Sequence, residues 1–162
     1  MRLADTAVVS GPSPDKRSQQ LFRLPRDQMP AMITLEDGEH AHALLFLAPS
    51  SSMIRFLEET APFVPVSYTS GLRLVARTSI ACLTVQAMDA PPEDPELPLE
   101  RQRVRLRLRG GRTIEGELRW IAPAGRRRTA DCLNDPLTHV VVHDGTQVSF
   151  VAKVHIAYVE EL

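Results

Sequence analysis

From residue 31 onward apolar and polar residues alternate in short runs, separated by clusters of glycine, proline, serine, asparagine and aspartate. A period of two puts every second side chain on one face of a strand, the pattern of a half-buried sheet. On that ground residues 32–36, 41–47, 63–68, 72–77 and 80–87 are expected to be strands, with residues 52–59 as a short helical or irregular insert. A second series follows at 103–109, 113–121, 139–143, 146–152 and 155–160, with its insert at 129–134. Asp144-Gly145, between VVVH and TQVSF, is a two-residue hairpin signal, and Thr69, Ser70 and Gly71 occupy the matching place in the first series.

The two series align with one another. LLFLAP at 44–49 matches LRWIAP at 118–123, an offset of 74; after a loop two residues longer in the second series the offset becomes 76 and stays there. Leu57 then matches Leu133, Val64 matches Val140, Leu74 matches Phe150, Arg77 matches Lys153 and Ile80 matches Ile156. A constant offset over so long a stretch points to a duplicated unit. Phe46 and Trp120 fall at matching places in the long second strand, where an aromatic is expected in the core rather than as a stacking platform for bases.

Proline divides the chain. Residues 1–30 are polar, charged and interrupted by Pro12, Pro14, Pro25 and Pro30, and are expected to form a flexible tail. Residues 88–100, MDAPPEDPELPLE, hold four prolines and five acidic residues and are expected to be a semi-rigid linker. The units between are residues 31–87 and 101–162. The expected fold class is all-β, as two tandem five-stranded small barrels, each with a short helical insert.

The stretch LRGGRTIEGELRWIAP resembles the opening strands of Sm-like and SH3-like barrels. GRRRTADCLND, followed by VVVHDGTQVSFVAKVHIAYVEEL, resembles a bacterial Sm-like domain family of unknown function, in which an Arg-x-x-Asp-x-Leu-Asn segment precedes the later strands and a basic-x-x-Ile pattern ends them. Arg128, Asp131, Leu133 and Asn134 match the first pattern; Lys153 and Ile156 match the second. The resemblance covers residues 104–162, and reaches 33–86 only through the repeat, where Glu58 and Glu59 stand in place of Asn134 and Asp135. It implies that Asp131 and Asn134 cap and pin the insert by accepting backbone N–H bonds. The Asn-ended first motif and the Arg-Gly second motif of RNA-binding Sm proteins are not clearly present, which lowers an RNA-binding expectation.

Charge adds one feature. The whole chain carries −1, yet residues 1–100 hold 8 basic and 13 acidic side chains against 11 and 7 in residues 101–162, a net of −5 against +4. Three readings fit that split: chance drift on two surfaces, a polyanion-binding half, or two halves that attract one another within or between chains. In RQRVRLRLRG the side chains of Arg101, Arg103, Arg105, Arg107 and Arg109 share one strand face, opposite Val104, Leu106 and Leu108. Three roles fit that row: a groove for a polyanion such as single-stranded nucleic acid, a contact with protein or with the acidic linker, or a solvated face that discourages edge-to-edge pairing. Arg126, Arg127 and Arg128 form a second basic cluster, in the loop before the insert. Paired arginines also occur in bacterial β-barrel receptors for cyclic dinucleotides, but the Asp/Asn-x-Ser-x-x-Gly strand such receptors carry is absent.

No catalytic residues stand out. The chain has no Gly-x-Ser-x-Gly, no glycine-rich phosphate loop and no cysteine in the sequence context of an activating histidine. The histidine pairs His40/His42 and His139/His143 fall at non-equivalent places with no cysteine near either pair, so neither a metal nor a cofactor is expected. Cys82 and Cys132 do not make a disulfide framework and are expected to be reduced thiols in the cytoplasm. No apolar run is long enough to span a membrane. The function expected is non-enzymatic: a scaffold, adaptor or regulatory subunit of a bacterial cytoplasmic assembly, binding a protein partner or further copies of itself, with nucleic-acid binding through the arginine face as the alternative.

Overall fold

A computed structural model of the chain describes residues 27–87 and 98–162. The strands are β1 (Asp27–Leu35), β2 (His40–Leu47), β3 (Phe63–Tyr68), β4 (Gly71–Ala76), β5 (Ile80–Gln86), β6 (Leu99–Leu108), β7 (Thr113–Ile121), β8 (His139–His143), β9 (Gln147–Ala152) and β10 (Ile156–Glu161). Helix α1 (Met53–Glu58) lies between β2 and β3, and α2 (Thr129–Leu133) between β7 and β8. Single 3-10 turns, Arg77–Ser79 and Lys153–His155, lead into β5 and β10. The protein is thus mainly β, and among the described residues all strand pairings are antiparallel.

The ten strands form one sheet in the order β10-β6-β7-β8-β9-β5-β1-β2-β3-β4. Residues 27–86 therefore run β5-β1-β2-β3-β4 and residues 99–161 run β10-β6-β7-β8-β9, the same order in each half. The sheet is not closed into barrels, which departs from the expected pair of barrels. The reason lies in hydrogen-bonding edges. Closing the first group would join β5 to β4, and closing the second would join β10 to β9. Instead β5 gives its outer edge to β9, through Cys82↔Val151, Leu83↔Phe150, Thr84↔Ser149, Val85↔Val148 and Gln86↔Gln147. That leaves β4 and β10 as the two ends of the sheet.

The correspondence at 76 residues extends to details of backbone geometry. Adding 76 to β4 gives β9, and adding 76 to the first 3-10 turn gives the second. A bulge interrupts β1–β5 pairing where Leu35 opposes Ile80 and Thr34 opposes Cys82. The same irregularity recurs between β10 and β6, at Ile156 and Tyr158. Phe46 and Trp120 each stand one residue before the end of the second strand of their half, and Ile80 and Ile156 each open the last strand.

Two strands reach past the expected boundaries at 30 and 100. Asp27–Pro30 belong to β1, paired with Leu44–Leu47, while residues 1–26 lie outside the described residues. Pro30 is tolerated because β1 has only β2 beside it there; pairing with β5 begins at Met32, so the missing N–H costs no ladder bond. Leu99 and Glu100 belong to β6, opposite Ile121 and Trp120, and residues 88–97 of the linker lie outside the described residues.

Two apolar cores flank the sheet, and each borrows from the other half. The first is built from Ile33, Leu45, Phe56, Val66 and Leu83, joined by Val148 and Phe150 of β9. The second is built from Val104, Leu106, Leu118 and Val142, joined by Ala81 and Cys82 of β5. Outside the sheet, His155 Nε2 and the Thr78 carbonyl oxygen lie 2.6 Å apart across the seam. The hairpin tips of the two halves also touch: a Cβ added at Gly110 would lie 2.5 Å from the Glu36 carbonyl oxygen and 2.8 Å from the Gly38 nitrogen.

Candidate functional site

The arginine row lies where alternation put it, with Arg101, Arg103, Arg107 and Arg109 exposed and Arg105 half-buried, while Val104, Leu106 and Leu108 are buried. Its strand is interior, however, between β10 and β7, so the row does not guard an edge. Those neighbours bring carboxylates onto the same face. Arg105 Nε donates to Glu115 at 2.6 Å and its Nη1 to Glu160 at 3.5 Å. Arg101 reaches Glu117 at 3.3 Å, and Arg119 binds the same carboxylate at 2.6 Å. Arg107 donates to the Thr113 hydroxyl and Arg109 to the Val154 carbonyl. Three carboxylates, Glu115, Glu117 and Glu160, thus sit among the arginines of this face. Such exposed pairs contribute roughly 0–1 kcal/mol each, and each takes one arginine of the row out of reach of a polyanion unless the pair opens.

The loop before α2 keeps Arg126, Arg127 and Arg128 exposed, with Arg127 3.4 Å from Glu100. Arg128 is the N-cap residue of α2, and the Asp131 carboxylate accepts its backbone N–H at 3.1 Å. Asn134 is the C-cap residue of the same helix, and there its own backbone N–H donates to the Ala130 carbonyl. Leu133 and Ile156 pack half-buried against the second core. Lys153 Nζ donates to the Asp135 carboxylate at 2.6 Å and to its carbonyl at 3.0 Å, which ties the loop after α2 to the second 3-10 turn. Seventy-six residues earlier, Arg77 pairs with Glu59 at 3.3 Å in the same way, an equivalence of ion pairs that residue matching alone left half-read.

The seam between the halves holds a cleft of about 510 Å³, lined by Phe56, Leu57, Pro62, Ile80, His139 and Val154 among others. Its cations, Arg77 and Lys153, are engaged in holding the loops. Burial, then Arg77 and His155, hold His139 below the ordinary histidine value of 6.5. A histidine kept neutral in the fold loses ground once the unfolded chain takes up a proton. Stability is therefore expected to be full above pH 6.5 and to fall as pH drops through and below it. His139→Gln flattens that decline in urea titrations at successive pH values, and an unchanged slope would show that His139 does not carry it. Cys82 lies buried on β5, and burial pushes its thiol up to about 11, so it is neither ionised nor accessible at neutral pH. Among the described residues no three His, Cys, Asp or Glu side chains gather to hold a metal ion, and no helix is long and apolar enough to cross a membrane.

The least satisfied surfaces are the ends of the sheet. Of nine large apolar side chains left exposed among the described residues, five lie at the two ends: Phe63, Leu72 and Leu74 on β3 and β4, Tyr158 on β10, and Leu162 just beyond it. Leu72 and Leu74, two apart on an edge strand, share one face, and the β3–β4 register sets Phe63 opposite Ala76 on that same face. Leu72 is 52% and Leu74 66% exposed, whereas their counterparts 76 residues on, Val148 and Phe150, are 2% and 3% exposed on β9 beside β5.

No protein-family model matches the chain. No curated protein and no solved structure matches it either. The site is therefore read from its own geometry. Sequence reasoning singled out the arginines and passed over Leu72, Leu74 and Tyr158, because alternation marks an exposed edge leucine and a core leucine identically. The signal that separates them is the difference in burial between residues 76 apart, which only the strand order creates.

Proposed function

We propose that the chain is a non-enzymatic protein-interaction module of a cytoplasmic assembly, built from two tandem Sm-like small β domains that share one continuous sheet. Support for the duplicated unit comes from the common strand order, the recurring 3-10 turns and bulges, and the equivalent ion pairs Arg77–Glu59 and Lys153–Asp135. The observation that carries the interaction reading is the group of exposed apolar side chains at the two ends of the sheet: Leu72 and Leu74 on β4 with Phe63 beside them on β3, and Tyr158 on β10. An uncovered apolar edge with free backbone donors and acceptors invites strand addition, and water-soluble proteins otherwise protect such edges. The polyanion alternative has weaker support, because Glu115, Glu117 and Glu160 sit among the arginines of β6.

Affinity capture from the native lysate, with the wild-type chain and Leu72→Glu/Leu74→Glu in parallel, tests the reading. A stoichiometric protein retained by the first and lost from the second supports it. Identical captures, together with salt-sensitive binding of a labelled single-stranded oligonucleotide that Arg103→Glu/Arg107→Glu abolishes, would replace it with the polyanion function.

A further inference from the structure

We propose that the partner of the β4 edge is the β10 edge of a second copy of this chain, paired head to tail in the register that β5 and β9 already hold inside each chain. This rests on the reading of the sheet ends as protein-binding surfaces and goes further by naming the occupant and the alignment.

The internal seam is the template. β5 and β10 are the last strands of their halves, and β4 and β9 the fourth. Inside the chain the last strand of the first half meets the fourth strand of the second. Among the described residues, what remains open is the last strand of the second half and the fourth strand of the first. Moving the β5–β9 register by 76 residues sets Tyr158 opposite Val75, Val159 opposite Leu74, Glu160 opposite Arg73, Glu161 opposite Leu72 and Leu162 opposite Gly71.

The chemistry of that alignment is largely complementary. Val159 and Leu74 replace the buried pair Leu83 and Phe150. Glu160 and Arg73 replace Thr84 and Ser149, whose hydroxyls are 2.8 Å apart at the seam. Arg73 already binds Glu39 at 2.6 Å, and Glu160 lies 3.5 Å from Arg105. Joining the edges makes one alternating row, Glu39–Arg73–Glu160–Arg105, across the junction. Glu161 opposite Leu72 is the one mismatched pair. Directly opposed unlike charges and apolar pairs are what stabilise antiparallel neighbours.

Burial points the same way. On β5, Ala81 and Cys82 are each 1% exposed because they fill the second core; their counterparts on β10, Ala157 and Tyr158, are exposed. Leu83 is fully buried, and its counterpart Val159 only half-buried. Leu72 and Leu74 would cover a second chain's core from β4, as Val148 and Phe150 cover the first core from β9. The acidic balance of residues 1–100 and the basic balance of residues 101–162 favour the same head-to-tail approach. Because the contact joins unlike surfaces, it closes into a ring or continues as a filament.

Two variants of the full chain, Leu74→Cys and Val159→Cys, each also carrying Cys132→Ser, provide the test. Mixed under mild oxidation, they are expected to give a disulfide-linked heterodimer at least about tenfold faster than Leu74→Cys mixed with Glu161→Cys, which is two residues out of register. Light scattering of the wild-type chain is expected to give multiples of 18.0 kDa. Leu72→Lys/Leu74→Lys, altered only at exposed positions, is expected to remain folded by circular dichroism and to give a single chain's mass. A wild-type chain that stays monomeric at every concentration, or cross-linking no faster in register than out of it, overturns the proposal. If the chain is monomeric yet Leu72→Glu/Leu74→Glu still loses a captured protein, self-pairing falls and the interaction module stands. If that capture is also unchanged, both fall.

Discussion

Phe150→Ala is expected to destabilise the entire sheet by about 3–5 kcal/mol, the usual cost of emptying a buried aromatic site. Phe150 is 3% exposed on β9, opposite Leu83 of β5 and Val141 of β8, yet it packs in a core otherwise built mainly from residues before 88. The loss is large against the roughly 5–15 kcal/mol that holds a typical domain. Because one side chain serves both halves, they should lose stability together. Fluorescence of Trp120, the only tryptophan, reports the second half, and far-ultraviolet circular dichroism reports the whole sheet. Both urea curves are expected to move by the same amount. Leu74→Ala, made 76 residues earlier at a side chain 66% exposed, is expected to change the stability of the dilute, dissociated chain by no more than about 0.5 kcal/mol. Similar costs at the two positions, or a second half that unfolds at its wild-type midpoint, would refute the shared core.

The second large effect is expected at Gly116. It lies inside β7, opposite Val104 of β6, and a Cβ there would sit 2.5 Å from the His143 carbonyl oxygen and 2.7 Å from Val142 Cγ1. Ordinarily alanine is favoured over glycine in a regular element by about 0.5–1 kcal/mol. Here the added carbon meets backbone, which cannot swing aside as a side chain can. β7 and β8 are joined by only two register pairs, Glu117↔His143 and Leu118↔Val142, so forcing them apart threatens the junction itself. Gly116→Ala is expected to cost about 1–3 kcal/mol or more, lowering Tm by roughly 2–4 °C per kcal/mol in a chain of this size. A neutral or raised Tm in a thermal scan would show that β8 relaxes around the added carbon and that the approach is not tight.

Both effects arise from placement that local pattern does not reveal. Alternation in TIEGELRW says nothing of why Gly116 stands there, and the reason is the His143 backbone against it. Phe150 and Leu74 read as equivalent apolar positions in a fourth strand, and only the neighbour differs. The arginine row shows the same division. Alternation alone put Arg101 to Arg109 on one face and Val104, Leu106 and Leu108 on the other. That Glu115, Glu117 and Glu160 come to lie among those arginines depends on the β6–β7 and β6–β10 registers.

What the sequence by itself determined is the set of local elements. Strand ends at 63–68, 113–121 and 139–143, and the short inserts, follow from period-two alternation, turn residues and helix breaks, because each depends on neighbours a few positions away. The match at 76 residues was legible for the same reason. The tertiary structure alone decided which strand edges meet. Joining β5 to β9 rather than closing each five-strand group is a choice between contacts far apart in the chain, governed by which apolar faces together exclude the most water. That choice buries Val148 and Phe150 and leaves Leu72, Leu74 and Tyr158 exposed at the two ends of the sheet.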